Sequence, residues 1–265
     1  MIARRLVFLV ASLFFLGGCK PRAPEAPRIP VDLSEIESSL RQLDRELQAI
    51  RRYQGFVRIR GKGPDGSFHG RLVVIFERPN DLRIELLGPF GSTRWSAVAS
   101  ENGIRVLFPG SKEYVEELDT ADIVGRLLGI PLNAEEVMAL LSGVGIPPDV
   151  EVISAYRQGP VTIGMLAEGG RLELAEDGQV SNVQTRTYRV SYPTSWKKRR
   201  RQIPDRLLLS TESMRITLGA EDVDINVPLD PKAFELEIPD GAARLKPADV
   251  AGEAVFVVTK ISESK

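Results

Sequence analysis

One cysteine and one histidine, Cys19 and His69, are all that the 265 residues hold of either type. A disulfide needs two cysteines, and a structural zinc site needs several Cys, His or carboxylate ligands, so neither is expected. A Ser–His or Cys–His catalytic pair would have to be built on His69. That residue lies in SFHGRLVVIF (67–76), a strand pattern, where a solvated or hairpin-edge histidine is the simpler reading. P-loop and HExxH motifs are absent. The chain therefore reads as a non-enzyme with no cofactor, no metal and no catalytic set. Charge of one sign is lacking as well. The 35 basic and 36 acidic residues leave a net charge of −1, which provides no field for nucleic acid. What is present, 43% apolar and 27% charged residues, is globular composition.

The one long apolar run stands at the N-terminus, MIARRLVFLVASLFFLGGC (1–19). Arg4 and Arg5 form a positive n-region, Leu6 to Leu16 an apolar h-region, and Gly17-Gly18 a small-residue cleavage zone. Residues 1–18 are expected to be a secretory signal, too short to span a membrane with polar flanks. Leu16-Gly17-Gly18-Cys19 resembles the bacterial lipobox, which implies that Cys19 is lipidated and becomes the new N-terminus. More than one acyl chain on that cysteine would hold the protein stably on a bilayer. The sorting pattern that retains bacterial lipoproteins at the inner membrane has aspartate after the cysteine. Here Lys20 follows, which implies an outer-membrane location on the periplasmic face. KPRAPEAPRIP (20–30) holds four prolines and reads as a stiff spacer, so residues 19–31 are expected to be anchor and linker.

DLSEIESSLRQLDRELQAIRRY (32–53) places Leu33, Ile36, Leu40, Leu43, Leu47 and Ile50 at helical spacing on one face. Asp32 is the expected N-cap, with Glu35 as its capping-box partner. Period-2 runs follow, broken by turn residues every 8–14 residues: GFVRIRGK (55–62), SFHGRLVVIFER (67–78), DLRIELL (81–87), TRWSAVAS (93–100) and IRVLF (104–108). That pattern specifies an antiparallel meander and not a parallel α/β sheet. One face of these strands is consistently apolar and needs a cover. Two amphipathic segments, TADIVGRLLGIP (120–131) and LNAEEVMALLSG (132–143), are the candidates. Strand patterns resume near 150 and run to about 226. DPKAFELEIPDG (230–241) suggests one last short strand, and residues 246–265 form an extension without assignment.

Two stretches stand apart from this pattern. In GPFGST (88–93) the turn chemistry of Pro89 and Gly91 is sound, but the tip between them is Phe90. An aromatic at a hairpin tip gains nothing from folding unless it folds back on its sheet or meets an external apolar surface. In WKKRRRQ (196–202), Lys197, Lys198, Arg199, Arg200 and Arg201 form a basic run between two strands. It is either a solvated hairpin loop or a patch for anionic headgroups or an acidic partner.

YQGFVRIRG (53–61), LRIELLGPFGST (82–93) and ADIVGRLLGIPLNAEEVMALLSGVGIP (121–147) resemble the LolB family of outer-membrane lipoprotein receptors. RLELAEDGQVSNVQTRTYRVSY (171–192) and IPDRLLLSTESMRITL (203–218) do so more weakly, and FELEIPDG (234–241) is similar to the end of the related carrier LolA. The resemblance implies a mainly β fold with some α: an unclosed antiparallel barrel covered by helices over residues 32–245. It further implies a hydrophobic cavity for acyl chains of lipoproteins, received from a LolA-like periplasmic carrier by a monomeric protein. The cavity is expected to be lined by Phe76, Ile84, Leu86 and Trp95, with Leu127, Leu128 and Leu140 on the lid. Pro89, Phe90 and Gly91 match the family's membrane-insertion loop. The chain departs from the family in its length, in its basic run and over 149–170. A lipid-binding sensor or a carrier of another amphiphile, such as a glycolipid, therefore stays open on the same fold.

Overall fold

The computed structural model describes residues 26–250 apart from 65, 118–120, 131, 146–149 and 194–202. Cys19 and the basic run 197–201 lie outside the described residues. The sequence's alternation becomes strands as the turn residues predict. A first meander comprises β2 (Arg52–Gly63), β3 (Gly66–Glu77), β4 (Asp81–Leu87), β5 (Thr93–Ser100), β6 (Gly103–Phe108) and β7 (Glu113–Glu117). A second comprises β8 (Val152–Gln158), β9 (Val161–Leu166), β10 (Arg171–Leu174), β11 (Val180–Gln184), β12 (Arg189–Ser191), β13 (Arg206–Ser210) and β14 (Arg215–Ile225). β14 pairs antiparallel with β2, Thr217 opposite Arg60, and this pairing fuses the two meanders. Two short edge strands, β1 (Arg28–Val31) and β15 (Ala243–Arg244), complete one 15-stranded sheet among the described residues. The edges do not pair with each other, so the barrel is unclosed. The fold is mainly β, as the sequence pattern predicts.

Two local expectations are corrected, and the start of an unassigned stretch is placed. Arg28–Val31, assigned to the spacer, pairs with β8 instead, Val31 opposite Ala155. Pro30 is tolerated because it lies on an edge strand, where no outer neighbour requires its missing N–H. FELEI (234–238) is not a strand. After a turn over 231–234 it crosses the outer side of the sheet as an extended strap. The Arg83 guanidinium bonds the carbonyls of Ala233 and Glu235 at 3.1 and 2.9 Å, in place of a ladder. Beneath the strap Ser96 and Val98 are buried, so β5 is covered on both faces. The extension 246–265 begins as folded chain. Val250 is buried, and the Arg126 guanidinium bonds the Pro247 carbonyl at 3.2 Å.

The long helix, α1 (Leu33–Ala49), is capped by Asp32, whose carboxylate accepts from Ser34 N at 2.8 Å. Hydrogen bonding from the Ser34 side chain, and then from its backbone N–H, holds the Asp32 carboxyl below its ordinary range. The expected capping box is absent because the Glu35 carboxylate pairs with Arg157 on β8. Ile36, Leu43 and Ile50 are buried, Leu40 and Leu47 pack against the same core, and Leu33 is left exposed. Ile36 sits so close to β9 that a Cβ at Gly164 would lie 2.6 Å from its Cδ1. The helix stops at Ala49, short of the expected Tyr53, because a residue 177 positions away claims its end. Asn226 Nδ2 donates to Ala49 O at 2.8 Å, and Asn226 Oδ1 accepts from Arg51 N and Arg52 N at 2.8 and 3.1 Å. Asn226 adopts φ 57°, a left-handed conformation that asparagine tolerates better than most residues.

The inner face of the sheet and the helices share one core. Tyr53 and Phe76 stack with ring centroids 5.1 Å apart, and Leu82, Trp95, Ile104, Leu172, Val190 and Leu209 are buried around them. Replacing Asn226 by alanine removes three hydrogen bonds at the α1–β2 junction. It is expected to lower stability by about 1–2 kcal/mol in urea unfolding, with an unchanged m-value.

Candidate functional site

Two features set this molecule apart from a filled sandwich: an exposed aromatic tip and a helical cover over one half of the sheet. The tip is a single 3-10 turn, Pro89–Gly91, between β4 and β5. Gly88 N–H donates to Ser92 O at 2.7 Å and Gly91 N–H to Gly88 O at 3.1 Å, which closes the loop. Phe90 is 107% exposed. Its backbone also lies at φ 68°, ψ 15°, so the positive φ expected for Gly91 alone (φ 79°) begins one residue earlier. An aromatic residue in the left-handed region costs roughly 1–2 kcal/mol that glycine would avoid. The turn therefore holds a strained, water-exposed ring where turn chemistry alone calls for neither.

The cover consists of α2 (Ala121–Leu128) and α3 (Ala134–Leu141). Asn133 and Glu136 form a reciprocal capping box at the start of α3, with both bonds at 2.8 Å. Val137, Met138, Ala139, Leu140 and Leu141 are all buried, so α3 is apolar nearly all round and lies inside the fold. On α2, Val124, Leu127 and Leu128 face Leu82, Ile84, Trp95, Ala97, Ala99 and Ile104 across a cleft. Of the residues expected to line a cavity, Ile84, Trp95, Leu127 and Leu128 meet at this cleft. Phe76, Leu86 and Leu140 are buried in the surrounding core and do not line it. The cleft holds only about 10 Å³, room for one water at most. Ligand pockets run from roughly 300 Å³ upward, so the cleft in this structure is too small to hold an acyl chain. Trp95 Nε1 and the Tyr53 hydroxyl are buried without a hydrogen-bond partner among the described residues.

Polar contacts fasten the cover on both sides. Arg78, in the β3–β4 turn, donates from Nε to Ile50 O at 3.1 Å and from Nη2 to Ser142 Oγ at 3.2 Å. It thereby ties the ends of α1 and α3 to the first meander. Burial lowers the pKa of its guanidinium, opposed by Glu135 and Asp44. An arginine nevertheless stays charged at any working pH. From the second meander, the Tyr192 hydroxyl donates to Leu140 O at 3.0 Å and the Tyr188 hydroxyl to Glu136 Oε1 at 3.1 Å. Burial pushes both phenols well above their ordinary value of 10.0, and the Glu136 carboxylate adds to the shift at Tyr188. These fasteners carry no sequence motif. A lone arginine before a proline and two tyrosines in a strand region look like ordinary surface and core residues.

The comparisons with known proteins fall in with this geometry. The family described as outer membrane lipoprotein LolB matches residues 52–223, well over half of the chain. The chain belongs to the LolB family. No curated protein matches the sequence. Among solved structures, a putative outer membrane lipoprotein-sorting protein domain from Vibrio parahaemolyticus superposes with a TM-score of 0.53 at 8% identity. That match covers 77% of this chain and 97% of the other. A LolA superfamily protein from Nitrosomonas europaea gives a TM-score of 0.51 at 12% identity, covering 73% and 96%. At such identities the likeness establishes the fold alone. The LolB match begins with β2 and ends within β14, so it holds both meanders, the Phe90 turn and the helical cover. β1, α1 and the strap lie outside it.

Arg78→Ala is expected to loosen the cover. Two hydrogen bonds from a charged donor disappear, lowering stability by about 2–4 kcal/mol in chemical denaturation. Binding of an environment-sensitive fluorescent fatty acid should rise in the same variant. The tyrosines predict a pH dependence of fixed sign. Below the ordinary phenol value both the folded and unfolded chains hold these protons, so the groups add no slope. Above about pH 10 the unfolded chain releases them first, and stability falls by up to about 1.4 kcal/mol per pH unit for each tyrosine. Tyr192→Phe should remove one such share from the alkaline slope of the melting temperature.

Proposed function

We propose that this chain is an outer-membrane receptor for acylated proteins. It is anchored through Cys19, takes cargo from a LolA-like carrier in the periplasm, shelters the acyl chains beneath α2 and α3, and passes them to the bilayer at Phe90. Membership of the LolB family supports an outer-membrane lipoprotein-binding role. The observation that carries the finer reading is Phe90, fully exposed and held in a costly conformation at the tip of a closed hairpin. Beside a bilayer such a ring has an apolar phase to enter.

Cargo uptake follows from burial. The cleft beneath α2 is lined by apolar side chains, Trp95 among them. An acyl chain entering it would gain about 25 cal/mol per Å² of apolar surface removed from water. With the cleft nearly closed, that gain must first offset the parting of α2 from β4–β6. Ile84, Trp95, Leu127 and Leu128 are then the first surfaces the chain meets, with Phe76, Leu86 and Leu140 deeper. A cover that closes behind a departing chain disfavours its return, so an affinity difference between carrier, receptor and bilayer suffices to drive transfer.

Phe90→Glu is expected to leave folding and anchoring intact, with stability changed by about 0.5 kcal/mol or less because the side chain contacts solvent alone. Delivery of acylated cargo from carrier to membrane vesicles should be abolished. Undiminished delivery by this variant would overturn the role of the tip.

A further inference from the structure

Immediately beside the Phe90 turn, the outer face of the sheet carries a groove of about 840 Å³. Its walls come from β2, β3, the start of β5 and the β14 bulge. Four arginines, Arg58, Arg60, Arg71 and Arg94, face two carboxylates, Glu221 and Asp222, which leaves an excess of two positive charges. Strand alternation explains the location. Val57 and Ile59 point into the core, so Arg58 and Arg60 point out, and Arg71 follows in the same way from Leu72 on β3.

The four arginines divide into two kinds. Arg58 and Arg71 are committed: both pair with Glu221, Arg71 at 3.3 Å and also 3.9 Å from Asp222, and Arg71 lies 3.9 Å over the Phe56 ring. Register explains the rest. The irregularity between Glu221 and Asp224 lets β14 present both acidic residues at this wall. Arg60 and Arg94 have no hydrogen-bond or ion-pair partner among the described residues. Two fixed guanidinium groups thus form a frame, and two unengaged ones complete it.

Gly88, which precedes the Phe90 turn, and Arg94, which follows it, both line this groove. An aromatic ring seated at the headgroup–acyl boundary, roughly 5–10 Å deep, leaves the residues two to four positions away at the level of the phosphates. We propose that this groove is a docking site for the phosphate of a phospholipid headgroup, engaged through Arg60 and Arg94 when Phe90 enters the bilayer. The proposal rests on the reading of Phe90 as a membrane contact. It adds that the contact is charge-selective: bilayers with anionic headgroups draw the tip in, and salt weakens the attraction. It also gives the exposed His69, which lines the same groove, a polar-donor role beside the phosphate.

The full-length lipidated protein carrying Ser92→Cys, labelled with an environment-sensitive fluorophore, reports the depth of the tip while Phe90 is retained. It is reconstituted in phosphatidylcholine vesicles with or without phosphatidylglycerol. Phosphatidylglycerol is expected to deepen the probe. The Arg60→Gln/Arg94→Gln double variant should lower the insertion equilibrium about 25-fold in the anionic vesicles, with little change in the neutral ones. Arg41→Gln/Arg45→Gln on α1, an equal loss of charge away from the groove, should behave as wild type. Equal insertion by the groove variant and wild type in anionic vesicles would overturn the proposal. So would normal insertion combined with lost transfer from the carrier, because the groove would then dock an acidic protein. Cargo delivery by Phe90→Glu separates the two readings. If that variant delivers normally, the insertion role fails, whereas loss of charge selectivity in the groove variant alone tests the headgroup site.

Discussion

The structure depends on covering an apolar sheet face that the sheet cannot close over by itself. Among the described residues, fifteen strands in one layer, antiparallel except for the β7–β15 pair, present a single inner surface, and the two edge strands remain apart. Left open, that surface would expose Phe76, Leu82, Trp95, Leu172 and Leu209 to water, at roughly 1.5–3 kcal/mol for each large side chain. The helices supply the cover, and α3 is its crossbar. One end is bonded through Ser142 to Arg78 of the first meander, and its body is bonded through Leu140 and Glu136 to Tyr192 and Tyr188 of the second. Each bond is modest when made and expensive to leave unmade in a buried setting. The cover is therefore fastened to both meanders.

That arrangement suits a container better than a solid core. A permanent cavity large enough for an acyl chain would forfeit contacts along its whole lining. Here the cleft holds about 10 Å³, and on the proposed function the cost of opening it would fall on a few hydrogen bonds and the α2 contact with β4–β6. On the proposed function, the apolar cleft and the exposed Phe90 are the two sides of one requirement: apolar cargo must be hidden in transit and must meet an apolar phase at its destination. The strained backbone at Phe90 fits the same account, since a turn selected only for stability would carry glycine there.

The outer surface is as specifically built as the interior. The strap over β4–β7 is held by Arg83 and buries Val98 from the side that alternation assigns to solvent. Around the β14 bulge, arginines gather beside the hairpin tip instead of scattering over the sheet. Neither feature changes the fold class. Both alter which surfaces are available to partners.

The sequence by itself determined most strands of the two meanders, the turns between them and the identity of the covering helices, because these rest on local periodicity and local turn chemistry. Leu82, Ile84 and Leu86 at period two, Asn133 with Glu136 at the head of α3, and Phe90 between Pro89 and Gly91 are all readable within a few residues. Their resemblance to one family was legible for the same reason. Tertiary structure alone decided where α1 ends, since Asn226 caps it from across the chain, and what Glu35 does, since Arg157 draws it away from its own helix. It also decided that residues 28–31 add a strand, that residues 234–238 cross the sheet without joining it, and that Arg78, Tyr188 and Tyr192 fasten the cover. These depend on which distant groups arrive with unsatisfied donors or acceptors, and no periodicity records that. The exposure of Phe90 lay between the two. Turn chemistry located the tip, but only the folded chain established that none of the described residues covers the ring.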